Sequence, residues 1–127
     1  MKKIYLDSNI LLSLDRFNFD LFLKLDCSKF KIIITSHVLR EIKYLNNNCQ
    51  EIILKYNKLI FFQDSEDFKY FDHFVLSEKF EDDNYVLTMD KKLLYLLYKK
   101  GICAIHITRN SDLKIFKGGL LSATELL

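Results

Sequence analysis

Lys3-Ile4-Tyr5-Leu6-Asp7-Ser8-Asn9-Ile10-Leu11-Leu12 decides how this chain is read. A short apolar run ends on an acid, a serine and an asparagine, and a second apolar stretch of helical type, Ile10 to Leu14, follows at once. That is a strand handed directly to a helix, with Asp7 at the junction. The pattern returns at Tyr85-Val86-Leu87-Thr88-Met89-Asp90-Lys91-Lys92-Leu93. Here the strand Tyr85 to Thr88 meets a helix, Asp90 to Lys100, that Gly101 closes. A lone Asp after a strand usually caps a helix. Two of them at equivalent strand ends point to more than capping.

The segments between fill in the alternation. Phe17 to Leu25 has the apolar set of a short helix. Lys31-Ile32-Ile33-Ile34-Thr35 is β-branched and reads as a buried strand. Ser36 caps a helix from His37 to about Leu45, and Asn46-Asn47-Asn48 breaks it. Glu51 to Tyr56 reads as a helix and Leu59 to Phe62 as a strand. Ser65 caps a helix running to about Phe80, Glu81-Asp82-Asp83-Asn84 turns, and Ile102 to Ile107 is a strand. Ser122 to Leu127 reads as a last helical turn. Strands separated by helices predict one α/β domain over residues 1–127, with three α/β/α layers and a central parallel sheet of five strands. Ligands in such sheets bind beyond the carboxyl ends of the strands, where the strand order reverses.

Two further acids have helical positions of interest. With Ser65 to Phe80 as one helix, Phe68, Phe71, Val75 and Leu76 share a face and Asp72 lies near its centre. A carboxylate in a buried stripe needs a cation, a lysine or backbone donors. On the helix after Ser36, Val38, Ile42 and Leu45 form the apolar face and Glu41 sits on its edge. A surface salt bridge is the default for such a Glu.

Bulk properties bound the chemistry. The chain has 127 residues, half of them apolar, 28% charged, and no proline. No apolar run approaches the roughly 20 residues that cross a bilayer, and the amino-terminal stretch lacks a cleavage-site pattern, so a cytoplasmic protein is expected. Three cysteines (Cys27, Cys49 and Cys103) form no Cys-x-x-Cys pair, and His37, His73 and His106 show no metal-site spacing. Any metal would be held by oxygen. Net charge is +2, and setting four clustered acids aside leaves the remaining surface at about +6. Lys2, Lys3, Lys43, Lys91, Lys92, Lys99, Lys100, Arg109, Lys114 and Lys117 could then meet a phosphate backbone. The aromatics mostly occupy core-type positions. With three glycines there is no Gly-rich phosphate loop, and no nucleophilic Ser, Cys or His arrangement stands out.

These residues resemble the PIN-domain family of toxin-like and rRNA-processing endoribonucleases. Asp7-Ser8-Asn9 with Ile-Leu-Leu is similar to the opening motif, Val38-Leu39-x-Glu41-Ile42 to the second, and Thr88-Met89-Asp90-Lys91-Lys92-Leu93 to the closing Thr-x-Asp-x-x-Leu. Asp72 stands sixteen residues before Thr88, the family's usual interval for its third acid, although its neighbours Phe71, His73 and Phe74 are bulkier than is common there. Asp82 and Asp83 compete for that role but fall in the turn before a strand, at the opposite end of the sheet. The resemblance spans Lys3 to Ile107. It implies a Mg²⁺- or Mn²⁺-dependent endoribonuclease acting on single-stranded RNA, with Asp7, Glu41, Asp72 and Asp90 catalytic. Asp7, Asp72 and Asp90 would be the metal ligands, Asp72 directly or through water, and Asn9 and Thr88 supporting groups. Glu41 would ligate through water or orient the nucleophile. An antitoxin or a ribosome-processing partner, and a homodimer, fit this reading. The alternative is a PIN-fold module too weak in metal affinity for turnover that binds RNA or protein. A receiver-like phosphoacceptor is a third class; the acidic pair it would carry is missing.

Overall fold

The computed structural model describes residues 2–13, 25, 29–45, 51, 53–64, 69–77, 80, 84–107, 113–117 and 120–123. Four parallel strands come first: β1 (Lys2–Leu6), β2 (Phe30–Thr35), β3 (Ile60–Gln63) and β4 (Tyr85–Leu87). Three more follow: β5 (Cys103–Ile107), which is parallel to β4, then β6 (Leu113–Lys117) and β7 (Leu120–Ala123). The labelled helices are α1 (Ser8–Leu12), α2 (Ser36–Leu45), α3 (Phe71–Val75) and α4 (Lys91–Lys100). Residues 51 and 53–55 are also helical.

The sheet runs β3-β2-β1-β4-β5-β6-β7. Its first five strands are parallel, and β6 and β7 join antiparallel. The expected five-stranded parallel sheet is present, and it is extended by two strands that the sequence reading left in the tail. Leu120–Ala123 is strand where a helical turn beginning at Ser122 was expected. The pairing of Ser122 with Ile115 and of Leu121 with Phe116 supplies ladder bonds that a solitary helical turn lacks; residues 124–127 of that expected turn lie outside the described set.

Parallel strands buried on both faces read as continuous apolar runs. Ile4 to Leu6, Ile32 to Ile34 and Tyr85 to Leu87 fit that rule, each residue being at most 4% exposed. Tyr5, Phe74 and Phe80 form an edge-to-face trio, with ring centroids 5.0 to 5.7 Å apart, that packs α3 on the sheet. Gly101 adopts φ 76° and ends α4, donating its N–H to the Tyr98 carbonyl while Ile102 N–H reaches Leu97. Such a left-handed position favours glycine.

The helix expected from Ser65 to Phe80 is shorter. Residues 65–68 lie outside the described set, and α3 starts after Tyr70 and ends at Val75, with Leu76 as its cap. Phe71, Phe74 and Val75 are buried, whereas Asp72 and His73 are exposed. The centring of Asp72 on a buried stripe is therefore corrected. Counting Leu76 into the helix drew the apolar centre toward residue 72; with Phe74 buried, the centre moves about 80° back, to Phe71.

Candidate active site

The strand order reverses between β1 and β4: β2 and β3 extend one way, β5 the other. Register then fixes the site. Leu6 pairs with Leu87, and the ladder continues one step as Asp7 N–H donates to the Leu87 carbonyl at 3.0 Å. Asp7 and Thr88 thus leave the sheet side by side at the switch point, where α/β sheets hold ligands.

A hydrogen-bonded corner results. Thr88, fully buried, donates its hydroxyl to Asp7 Oδ2 at 2.7 Å. A carboxylate only accepts, so the direction is fixed. The lone pairs of the same hydroxyl accept from Asp90 N–H at 3.1 Å and from Asn9 Nδ2 at 3.3 Å. Asn9 Nδ2 also reaches Asp7 Oδ2 at 3.3 Å, and Asn9 Oδ1 accepts from Met89 N–H at 3.1 Å. On the other oxygen, Asp7 accepts from Ser8 N–H at 2.7 Å as the cap of α1. Asp90 caps α4, its Oδ1 accepting from Lys92 and Leu93 N–H at 2.9 and 3.4 Å. Both aspartates therefore cap helices, yet their settings differ: Asp7 is 9% exposed and Asp90 stands in solvent.

Burial raises the Asp7 carboxyl above its ordinary value of 3.8. Bonds from Thr88 and Ser8 oppose that rise, while the negative charges of Glu41 and Asp90 add to it. Glu41 is exposed on α2, whose inner side is Val38 and Ile42, with Arg40 and Lys43 exposed too. Among the described residues, Glu41 and Asp90 are the carboxylates that act on Asp7; Asp72 is not one of them. His37, in the first turn of α2, stacks on Phe74 with centroids 6.0 Å apart, so α3 crosses near the end of β2. Asp82 and Asp83, and the residues around them, lie outside the described set.

Among the described residues, no three acidic, histidine or cysteine side chains close on a common point as a ready metal cage. The donor chemistry still suits a hard divalent cation. Mg²⁺ commonly takes one or two carboxylates and fills its shell with water and substrate oxygens. A desolvated Asp7 within electrostatic range of two further carboxylates is a place where a cation would be favoured.

His106, on β5 beside Thr88, is a neighbour that spacing arguments passed over. Burial lowers its imidazole below the usual 6.5, a hydrogen bond with the Thr88 backbone opposes this, and the cations of Lys91 and Lys114 push it lower. Both lysines are thus within electrostatic range of it on this side of the crevice.

The arrangement as a whole is found elsewhere. The structure of the PIN domain endonuclease Utp24 matches with a TM-score of 0.69, over 97% of this chain and 96% of that one, at 16% identity. The chain has the PIN-domain fold. No family model and no curated protein sequence matches it. The PIN likeness is one of architecture, and the acids at the strand ends are argued from their own contacts. Among the described residues, no helix is long and apolar enough to cross a membrane.

Proposed function

We propose that this PIN-fold chain is a Mg²⁺- or Mn²⁺-dependent endoribonuclease that hydrolyses phosphodiester bonds in single-stranded RNA. The observation that carries the reading is the Asp7–Thr88–Asp90 corner, in which one hydroxyl at the switch point donates to the Asp7 carboxylate and accepts from the Asp90 backbone N–H, so that two acid-bearing residues from opposite halves of the chain meet there. A divalent cation there would supply charge neutralisation at the phosphate and Lewis-acid activation of water. Asp7 and Asp90 would hold it, with Asp72 reaching it directly or through water. Glu41, in electrostatic range of Asp7, would orient the attacking water. Asn9 and Thr88 would steady Asp7 by their bonds to its Oδ2, with Ser8 N–H holding Oδ1. The endonuclease named in the fold comparison supports this reaction class. A cytoplasmic location, an antitoxin or ribosome-processing partner, and a homodimer belong to the same proposal.

A second reading, a PIN-fold module that binds RNA or protein without turnover, draws support from the open disposition of the acids: Glu41, Asp72 and Asp90 are all exposed. RNA cleavage with and without EDTA, comparing wild type with Asp7→Asn and Asp90→Asn, separates the two. Metal-dependent cleavage lost in both variants supports the nuclease. Cleavage equal to wild type in both variants removes the mechanism, and no cleavage by wild type favours the binding module.

A further inference from the structure

We infer that the outer face of α4 is a stacking platform for the single-stranded RNA that enters or leaves the crevice; this rests on the nuclease reading above. Helix α4 begins at Asp90, inside the site, and reads KKLLYLLYKK. Leu93 and Leu97 point into the core. At about 100° per residue, Tyr98, Lys91, Tyr95, Lys99 and Lys92 then share one arc of about 120° on the opposite side. Tyr95 is 56% and Tyr98 41% exposed, and Lys91, Lys92 and Lys99 are exposed as well. The Lys99 ammonium lies over the Tyr95 ring, 4.8 Å from its centroid.

Lysines in the last turn have a bland explanation, since cations there oppose the helix dipole. That accounts for Lys99 and Lys100. It does not account for two large rings turned to water at a spacing of three residues, which are neighbours on a helix surface. Nor does it account for the charge pattern: every charged residue from 91 to 100 is a lysine. Exposed aromatics interleaved with cations suit a polyanion with flat faces. Single-stranded RNA is such a ligand, its bases stacking on rings and its phosphates on ammonium groups. Position adds to composition, because Lys91 and Lys92 directly follow Asp90, whose backbone N–H bonds the Thr88 hydroxyl in the crevice.

The test is binding of a labelled single-stranded 12-nucleotide RNA in EDTA, read by anisotropy and by tyrosine emission, which no tryptophan masks in this chain. Each of Tyr95→Ala and Tyr98→Ala is expected to weaken binding about tenfold, the scale of one lost base stack. Tyr95→Phe should bind as wild type does, and Lys92→Gln with Lys99→Gln should flatten the slope of log affinity against log salt by about 1.4. Unchanged affinity in the double tyrosine variant, or no RNA binding by wild type, overturns the platform. So does equal, tyrosine-dependent binding to phosphatidylserine vesicles, which would assign the face to a membrane surface. RNA held through the tyrosines but never cut in Mg²⁺ defeats the nuclease reading and not the platform; normal cleavage with unaltered affinity in the variants does the reverse.

Discussion

Asp7 and Asp72 are both acids that the sequence offers as ligands, and the molecule treats them oppositely. Asp7 is buried, bonded to Ser8, Asn9 and Thr88, and raised in pKa by its surroundings. Asp72 is exposed on a five-residue helix. The difference lies in what positions each residue. A strand end is placed by sheet register, which the pairing of Ile4, Tyr5 and Leu6 with β4 fixes to the residue. A side chain on a short helix is placed by that helix's phase and limits, which depend on distant packing. A site built from both kinds of position has a rigid half and an adjustable half.

The largest expected effects strike the rigid half. Asp7→Asn and Asp90→Asn should each lower RNA cleavage roughly a hundredfold or more, the scale of one lost electrostatic contact to a reacting group. Asn caps helices as well as Asp does, so Asp90→Asn should melt near the wild-type temperature while losing activity. Thermal melting alongside cleavage rates checks this; wild-type cleavage at an unchanged melting temperature would mean that Asp90 acts as a cap and nothing more. Thr88→Val comes next. It removes the donor to Asp7 and the acceptor for Asp90 N–H while keeping the shape, and should reduce Mg²⁺ affinity or cleavage about 10- to 100-fold, as loss of a ligand's support does. Titration of cleavage against Mg²⁺ reads it, and wild-type metal dependence would show the corner to be ornamental.

The same burial gives a pH signature in metal-free protein. The folded Asp7 carboxyl titrates above its ordinary 3.8. A raised folded pKa means that the folded state favours the proton. The stability it contributes is full below the ordinary value and is lost as pH rises through the raised one. In EDTA, wild type should therefore lose stability relative to Asp7→Asn as pH climbs from below 4 to 7. Mg²⁺ should then restore wild type but not the variant, since binding to the folded state alone stabilises it. Parallel melting curves of the two proteins across pH would deny the desolvated carboxylate.

Register also explains what was legible in the sequence. Asp7, Thr88 and Asp90 could be read because each closes an apolar run whose end is visible in the chain, and two such runs meet wherever the order reverses. The antiparallel pair β6 and β7 was not read, although Leu113 and Ile115 are buried around an exposed Lys114, a two-residue alternation. Its partner strand, β5, already had one parallel neighbour, and nothing local says that a parallel sheet will accept an antiparallel edge. The outward rings of Tyr95 and Tyr98 were grouped with core aromatics because composition counts rings without phasing them; stepping α4 from the buried Leu93 and Leu97 turns both outward.

Asp72→Asn is the smallest effect expected and bears hardest on the comparison. If the adjustable half meets the cation through water, removing one exposed charge costs about tenfold or less in cleavage, as outer positions do. The loss should shrink further as Mg²⁺ is raised, because a weaker site is refilled by mass action. Asp7→Asn should not be rescued that way, since its charge is desolvated and nothing replaces it. Measuring both variants over a common Mg²⁺ range therefore separates a ligand held by register from one held by a short helix. An Asp72→Asn defect as deep as that of Asp7→Asn, and as insensitive to Mg²⁺, would mean that α3 turns inward on binding and that the exposed state is the resting one.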